Sequence, residues 1–352
     1  MQSIIVPVNV LRDFLCRIFL ALGCDAENAG IIADGLVEAD LRGHSIQGTD
    51  HIYSIAADLK AGRLNGRARP RVLRETAATA QVDGNGGSGH VGARFAADLA
   101  IRKAEATGVA AVGLVCAGDI FMLGAYVERM ARAGLVGMTF TNTVPTRVHP
   151  AGGIDPALGT NPVAFGFPTF DGDPVIMDLA TSTSAVGHIR IASYSSSAIP
   201  PGVAIDRNGA PTTDAMEALA GALTPLGGHK GFALGLAVAL LSGSMVGAEL
   251  GSTLKAQVAE SNRIPQRGHF FIAIDPASFG DIETYRHRVR SYIAELKGSR
   301  RAPGVSAIRI PGERSMQARR RSSVEGIEML ASVWQHTVDI ARQSNVEAPA
   351  IE

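Results

Sequence analysis

Apolar residues recur at helical spacing through residues 9–62, broken at Gly23 and again near Gly43, so this stretch reads as wholly helical. Within it, Val10-Leu11-Arg12-Asp13-Phe14-Leu15-Cys16-Arg17 sets charges inside the apolar run, the pattern of an amphipathic helix and not of an export signal. From about residue 70 the pattern changes to strand-length apolar runs alternating with helical periods. Val109–Val115 reads as a buried strand, Phe121–Ala133 as the helix after it, and Val136–Thr141 as the next strand. Further on we expect a helix near 229–246 and a strand over His269–Ile274, ended by Asp275-Pro276. A helix over 282–297, a strand over Val305–Ile310 and a final helix from about 322 complete the series. Such alternation implies an α/β sheet with helices packed against it.

One segment changes that picture. Gly231–Gly247 carries no charge, but Gly235, Ser242, Gly243, Ser244 and Gly247 interrupt it and Lys230 and Glu249 bound it. A buried helix followed by a loop is expected there, with no membrane span. The chain has 352 residues, enough for two or three packed lobes, and 46% hydrophobic with 19% charged residues excludes a disordered chain. Thirty-three basic and 33 acidic side chains give no electrostatic reason to expect nucleic acid as partner. Cys16, Cys24 and Cys116 form neither a paired framework nor a zinc-type spacing, so we expect a reducing cytoplasm and no metal site. The run Arg319-Arg320-Arg321 reads as solvated surface.

The chemistry starts from glycine. Val82-Asp83-Gly84-Asn85-Gly86-Gly87-Ser88-Gly89-His90-Val91-Gly92 contains G-x-G-x-x-G twice, between a strand-like stretch and a helix. A dinucleotide fingerprint also needs an acidic residue ending the next strand, and Asp119 lies three residues past Val115-Cys116. A flexible turn before a helix from His90 accounts for the run better. Other segments are more distinctive: Ala39-Asp40-Leu41-Arg42-Gly43-His44-Ser45-Ile46-Gln47-Gly48; Gly152-Gly153; Gly159-Thr160-Asn161-Pro162; and Asp178-Leu179-Ala180-Thr181-Ser182. Pro211-Thr212-Thr213-Asp214, Pro225-Leu226-Gly227-Gly228-His229-Lys230-Gly231, Phe270-Phe271-Ile272-Ala273-Ile274-Asp275-Pro276 and Pro311-Gly312-Glu313 follow. Thr181, Ser182 and backbone N–H groups are donors suited to phosphate oxygens, and Lys230 is a point charge.

Taken in this order, over about residues 9–340, these segments resemble the type 2 malate/L-lactate dehydrogenase family, which includes ureidoglycolate and sulfolactate dehydrogenases and the piperideine- and pyrroline-2-carboxylate reductases. The resemblance implies a cytosolic homodimer that passes a hydride between NAD or NADP and C2 of a small 2-oxo or 2-imino acid. It implies a mixed-sheet nucleotide-binding fold of the sulfolactate dehydrogenase-like type, unlike the doubly wound one, with a helical lobe at the termini. The expected lobes are 1–70 completed by 322–345, 71–135 with 268–310, and 136–267 for the cofactor. By matching motifs, Thr143, Asp178, Ala180, Thr181, Ser182, His229, Lys230, Gly312, Glu313 and Arg314 would meet the nucleotide, and Thr160 and Asn161 the substrate. His188, Arg190 and Arg207 are the nearest candidates for a 2′-phosphate, without a signature that separates NADP from NAD. The apolar, weakly charged first and last helices would need a partner surface, as a homodimer provides.

The departures bear on mechanism. Gln47 stands where the family carries its proton-transferring histidine, His51 where an arginine holds the substrate carboxylate, and Asp119 where a second histidine lies. A glutamine amide donates a hydrogen bond but is no acid near neutrality. His44 and His51 flank it, and imidazole chemistry could replace the missing acid. Asp119 would oppose an anionic 2-oxo acid unless protonated, and would favour a protonated imine. The expected function is a nicotinamide-dependent reductase of a 2-imino or 2-oxo acid with an altered acid–base site. A non-redox enzyme, working by proton abstraction or elimination, and a ligand-binding protein on the same scaffold are the alternatives.

Overall fold

The computed structural model describes residues 2–169, 172–260 and 264–351, with the side chains of residues 255 and 258–260 outside that description. The chain opens with β1 (Ser3–Val6) and helices α1 (Val8–Ala21), α2 (Ala26–Leu41) and α3 (Ile52–Lys60). Strand β2 (Arg71–Glu75), β3 (Thr79–Gly87), α4 (Gly89–Thr107), β4 (Val109–Ala117), α5 (Gly124–Arg132), β5 (Val136–Thr141), β6 (Val163–Phe167) and β7 (Val175–Leu179) follow. A small lobe holds α6 (Val186–Tyr194), β8 (Ala204–Ile205), β9 (Pro211–Thr212), α7 (Ala215–Ala220) and β10 (Ala222–Leu223). Helices α8 (His229–Ser242) and α9 (Gly251–Glu260), strand β11 (His269–Ile274), helices α10 (Ile282–Gly298) and α11 (Glu313–Glu325), strand β12 (Ile327–Leu330) and helix α12 (Ala331–Gln343) complete the order.

The helical breaks have local causes. Gly23 takes φ +94°, and Asp25 caps α2 by accepting the Asn28 N–H at 3.0 Å. α1 turns Leu11, Phe14, Leu15, Ile18 and Phe19 inward as one apolar stripe. The chain ends close on this lobe: β1 pairs antiparallel with β12, from Ser3 opposite Leu330 to Val6 opposite Ile327, and Trp334 of α12 packs on Phe14 at 5.4 Å. The first and last helices thus cover their apolar faces within one chain. They do not need the partner surface expected of them.

The main sheet has seven strands in the order β2-β3-β4-β11-β5-β6-β7, parallel only between β3 and β4. It is therefore mixed, not doubly wound. Strand β11 lies between β4 and β5, with His269 opposite both Leu114 and Thr141. Its alternation serves two cores: Phe271 and Ala273 face α4 and α5, whereas Phe270 and Ile272 join Val238 of α8 and Val246.

Several elements differ from expectation. Helix α5 starts at Gly124 because Phe121 sits at φ +54°, outside helical geometry. Residues 305–310 form no strand; Ile310 donates to Glu313 Oε2 and Pro311 accepts from Ile176 N, contacts that use the backbone without a ladder. The final helical stretch is two helices, α11 already starting at Glu313, separated by β12. Helix α8 ends at Ser242 and is not the buried helix expected. It buries Gly231, Gly235, Val238, Ala239 and Ser242 but leaves Leu234, Leu236 and Leu240 exposed, Leu240 at 49%. Among the described residues, His229–Val246 is long and apolar enough to cross a membrane by length and composition. Arg319, Arg320 and Arg321 are surface residues, each in an ion pair, with Glu38, Asp173 and Glu325.

Candidate active site

Strand directions bring the candidate segments to one edge of the sheet. β3, β4, β5 and β7 end there, and β6 and β11 begin there. The edge therefore collects Ser88–His90, Gly118–Phe121, Asn142-Thr143, Thr160-Asn161, Ala180–Ser182 and Arg267. The doubled glycine run belongs to the end of β3 and the start of α4. Its glycines serve close packing: a Cβ on Gly89 would lie 2.0 Å from the Asp119 carbonyl oxygen.

One half of the edge is a knot of neutral groups. Asn161, buried at φ +37°, accepts from Thr143 N at 3.2 Å and donates to the Gly235 carbonyl of α8 at 3.0 Å. Thr143 Oγ1 lies 3.3 Å from Thr160 Oγ1, and Thr181 donates to the Thr160 and Asn161 carbonyls at 3.0 and 3.2 Å. Ser182 donates to the Ser184 carbonyl at 2.8 Å. Thr181 and Ser182 thus give their hydroxyl hydrogens to main chain in this conformation, building the shelf instead of presenting donors to a phosphate. Leu226 N donates to Thr181 O at 2.9 Å, which sets the start of α8 beside the shelf. There Gly227 and Gly228 take positive φ in open space, no side chain caps the helix, and His229 and Lys230 are exposed.

The other expected cofactor residues divide. Asp178 Oδ2 accepts Gly124 N at 2.7 Å and so fixes the start of α5. Ala180 is half-buried on the turn after β7. Gly312, at φ +93°, packs on Ile176 of β7. Glu313 is occupied by Lys297 and the Ile310 N–H, whereas Arg314 is exposed and lies close enough to affect His44.

The other half of the edge is made of rings and charges. The 42–51 loop is held by Asp40, buried under it, which accepts from Thr49 N at 2.9 Å and Thr49 Oγ1 at 2.5 Å. Gly48 must be glycine because a Cβ would meet Asp40 Oδ1 at 2.0 Å. Burial pushes Asp40 up to about 7 against these bonds. His51 Nε2 lies 2.8 Å from the Ile46 carbonyl, so in the neutral ring this nitrogen carries the hydrogen. The ring packs tilted against Phe121 at 4.5 Å, and the buried His90 stacks on Phe121 at 4.9 Å. The Gln47 amide makes no hydrogen bond among the described residues.

Asp119 forms an ion pair with Arg267, beside His269, whose Nδ1 lies 2.6 Å from Thr141 Oγ1. Enclosure works to raise the Asp119 carboxyl, but Arg267 outweighs it and holds the group below its ordinary range. A protonated Asp119 is therefore excluded near neutrality, and its charge is compensated, which removes the expected opposition to an anionic substrate. Burial, then Arg267, pushes His269 down to about 3; burial, then His51, pushes His90 down to about 4. Burial and the charges of Arg42 and Arg314 lower His44 too, so it is a neutral ring and a poor acid near neutrality. Arg267, His269, His90 and Phe121 were not singled out from the sequence as site residues. The ring and charge contacts they make join distant segments, and no spacing announces them.

The sequence profile of the malate/L-lactate dehydrogenase family matches residues 6–337, and the chain belongs to that family. It is 36% identical over 336 residues to the malate/(S)-sulfolactate dehydrogenase of Methanothermus fervidus, covering 96% of this chain and 97% of that one. With the Delta(1)-pyrroline-2-carboxylate reductase of Ancylobacter novellus it shares 36% identity over 321 residues, 91% and 93% of the two chains. Among solved structures, malate dehydrogenase from Entamoeba histolytica superposes with a TM-score of 0.94 at 29% identity, over 99% of this chain and 100% of that one. Delta1-piperideine-2-carboxylate reductase from Pseudomonas syringae gives 0.86 at 32% identity, over 97% and 100%. The protein is an enzyme of the dehydrogenase/reductase class.

Proposed function

We propose that the protein uses NAD or NADP to interconvert a small 2-imino or 2-oxo acid and its reduced form, with an altered acid–base site. The observation that carries this reading is the meeting, at one sheet edge, of a neutral shelf and a cluster of rings and charges. The shelf suits a nicotinamide nucleotide. Its glycines leave open space beside an uncapped helix start, where N–H groups and Lys230 favour phosphate oxygens. Thr143, His229-Lys230 and Gly312–Arg314 would hold it, with the Ala180–Ser182 turn serving as a surface and not through its hydroxyls, and Thr160 and Asn161 shaping the substrate end. When bound, the nucleotide supplies or accepts the hydride at C2. His51, its Nε2 tied to Ile46, exchanges the proton through Nδ1, and Gln47 orients the substrate by hydrogen bonding. The lobes 1–70 with 322–345, 71–135 with 268–310, and 136–267 serve this division of labour.

We further propose a cytoplasmic homodimer. The exposed Leu234, Leu236 and Leu240 of α8, with Met245 beyond it, support an apolar partner face. The three cysteines are free, which suits a reducing compartment. A monomer by light scattering at micromolar concentration would count against the dimer.

The activity test follows NADH and NADPH consumption with Delta(1)-pyrroline-2-carboxylate, Delta(1)-piperideine-2-carboxylate and the 2-oxo acids that correspond to malate and sulfolactate. Turnover of at least one is expected; absence of cofactor binding at millimolar concentration overturns the reading. Gln47→His should raise activity on the 2-oxo acids more than on the cyclic imines, because a ketone needs a proton at the reacting oxygen.

A further inference from the structure

Resting on the reading above, we propose that Arg267 is a substrate-binding residue that holds the substrate's carboxylate, with Asp119 as the positioning residue that turns its guanidinium to the pocket. Arg267 lies where β11 enters the sheet edge, and the Gly268 carbonyl beside it accepts from Asn142 N at 3.1 Å. Its backbone thus adjoins the segment that leads to the shelf at Thr143, and its guanidinium reaches Asp119, which also feels the charges of His51 and His269. Any small acid reacting against a nucleotide on that shelf comes beside this pair.

The pair is lopsided. The Arg267 side chain is 9% exposed and that of Asp119 is 41% exposed, so a desolvated cation depends on a partly solvated anion. Asp119 pairs in charge with Nη1, and both Nε and Nη1 are buried without a hydrogen-bond acceptor among the described residues. A buried guanidinium N–H without an acceptor is costly, and an incoming carboxylate oxygen removes that cost while forming a charge-assisted bond. The neighbouring rings do not compete for the anion. His269 and His90 are kept neutral by burial, and His51 commits one nitrogen to Ile46. Arg267 is the fixed cation in this cluster of described residues, and its fork matches a carboxylate better than an ammonium would.

The test compares two planar probes of one shape, pyrrole-2-carboxylate and pyrrole-2-carboxamide, titrated into protein saturated with NADH or NADPH. Wild type should favour the carboxylate by about 30-fold or more, the worth of a buried charge-assisted contact. Arg267→Gln should cut that preference at least tenfold while the cofactor dissociation constant changes less than about twofold. Arg267→Lys should fall between, keeping charge but losing the fork, and covers the case in which the glutamine variant does not fold. Asp119→Asn should weaken the carboxylate alone, and by less than Arg267→Gln. A merely structural pair predicts instead that Arg267→Gln weakens both probes and the cofactor together. Unchanged preference in both Arg267 variants, or none in wild type, overturns the assignment. Failure of wild type to bind either nucleotide overturns the reductase reading in the same titration.

Discussion

Beyond the ends of β5 and β7, Thr143, Thr160, Asn161 and Thr181 tie the backbone with neutral hydrogen bonds. Beyond the ends of β3 and β4, His51, His90, Asp119, Arg267 and His269 crowd rings and charges together. The knot of the shelf is tied by hydroxyl, amide and main-chain groups that do not titrate in the working range. The ring-lined half depends on which of its members are charged. It also holds Gln47, His51 and Asp119, the positions at which the resemblance read from the sequence implies other residues. On the proposed function, the first half would present the cofactor surface and the second would set which acid is accepted.

The contrast breaks most visibly at Asn161. Asn161→Ala removes the partner of Thr143 N and of the Gly235 carbonyl, so unfolding free energy should fall by about 3–5 kcal/mol. Denaturant unfolding measures this, and nucleotide affinity should fall as well. A cost under about 1 kcal/mol would show that the knot does not hold the shelf.

Acid should act on the other half. His90 and His269 are neutral in the fold with values near 4 and 3, against about 6.5 when unfolded. Their contribution is complete above the unfolded value and is lost as pH falls towards the folded one. By pH 4 each should cost roughly 2–3 kcal/mol, and His269→Gln should remove one share of this loss in urea midpoints compared at pH 7 and 4.

Asp40 runs in the opposite sense. Its folded value near 7 favours the protonated form, so its contribution is complete below about pH 4 and disappears as pH rises through 7. Asp40→Asn should flatten the decline between pH 5 and 8 by roughly 2 kcal/mol. A wild-type-like slope would mean that Asp40 is ionised throughout. The smallest effect belongs to exposed Lys230. Lys230→Ala should weaken NAD(P)H about fivefold to tenfold, less at high salt, and leave pyrrole-2-carboxylate binding to nucleotide-saturated protein unchanged.

Much of the shelf was legible because its parts are local motifs. Pro225–Gly231 contains a turn whose glycines take positive φ, and Gly159-Thr160-Asn161-Pro162 is conspicuous by residue type although distant Thr143, Thr181 and Gly235 hold its form. What such motifs do not reveal is where a hydroxyl hydrogen goes: Thr181 and Ser182 were read as donors to phosphate and donate to carbonyls. Gln47, His51 and Asp119 stand out in the sequence only through the resemblance to the family. The partners that give Asp119 its charge state do not stand out, because Arg267 reaches it only through the insertion of β11 between β4 and β5.

Periodicity by itself determined the strands Val136–Thr141 and His269–Ile274, the broken helices of the first sixty residues and the α/β class, since these express side-chain spacing along one segment. It did not determine whether residues 305–310 would find a neighbouring strand, or whether α8 would be covered, because both depend on surfaces supplied from elsewhere. Only the tertiary structure decided that His90 and His269 are neutral, that Asp119 is ionised and that Asp40 is poised near neutrality. A protonation state is set by the burial and charges around a group, and in this fold those come from segments far apart in the chain.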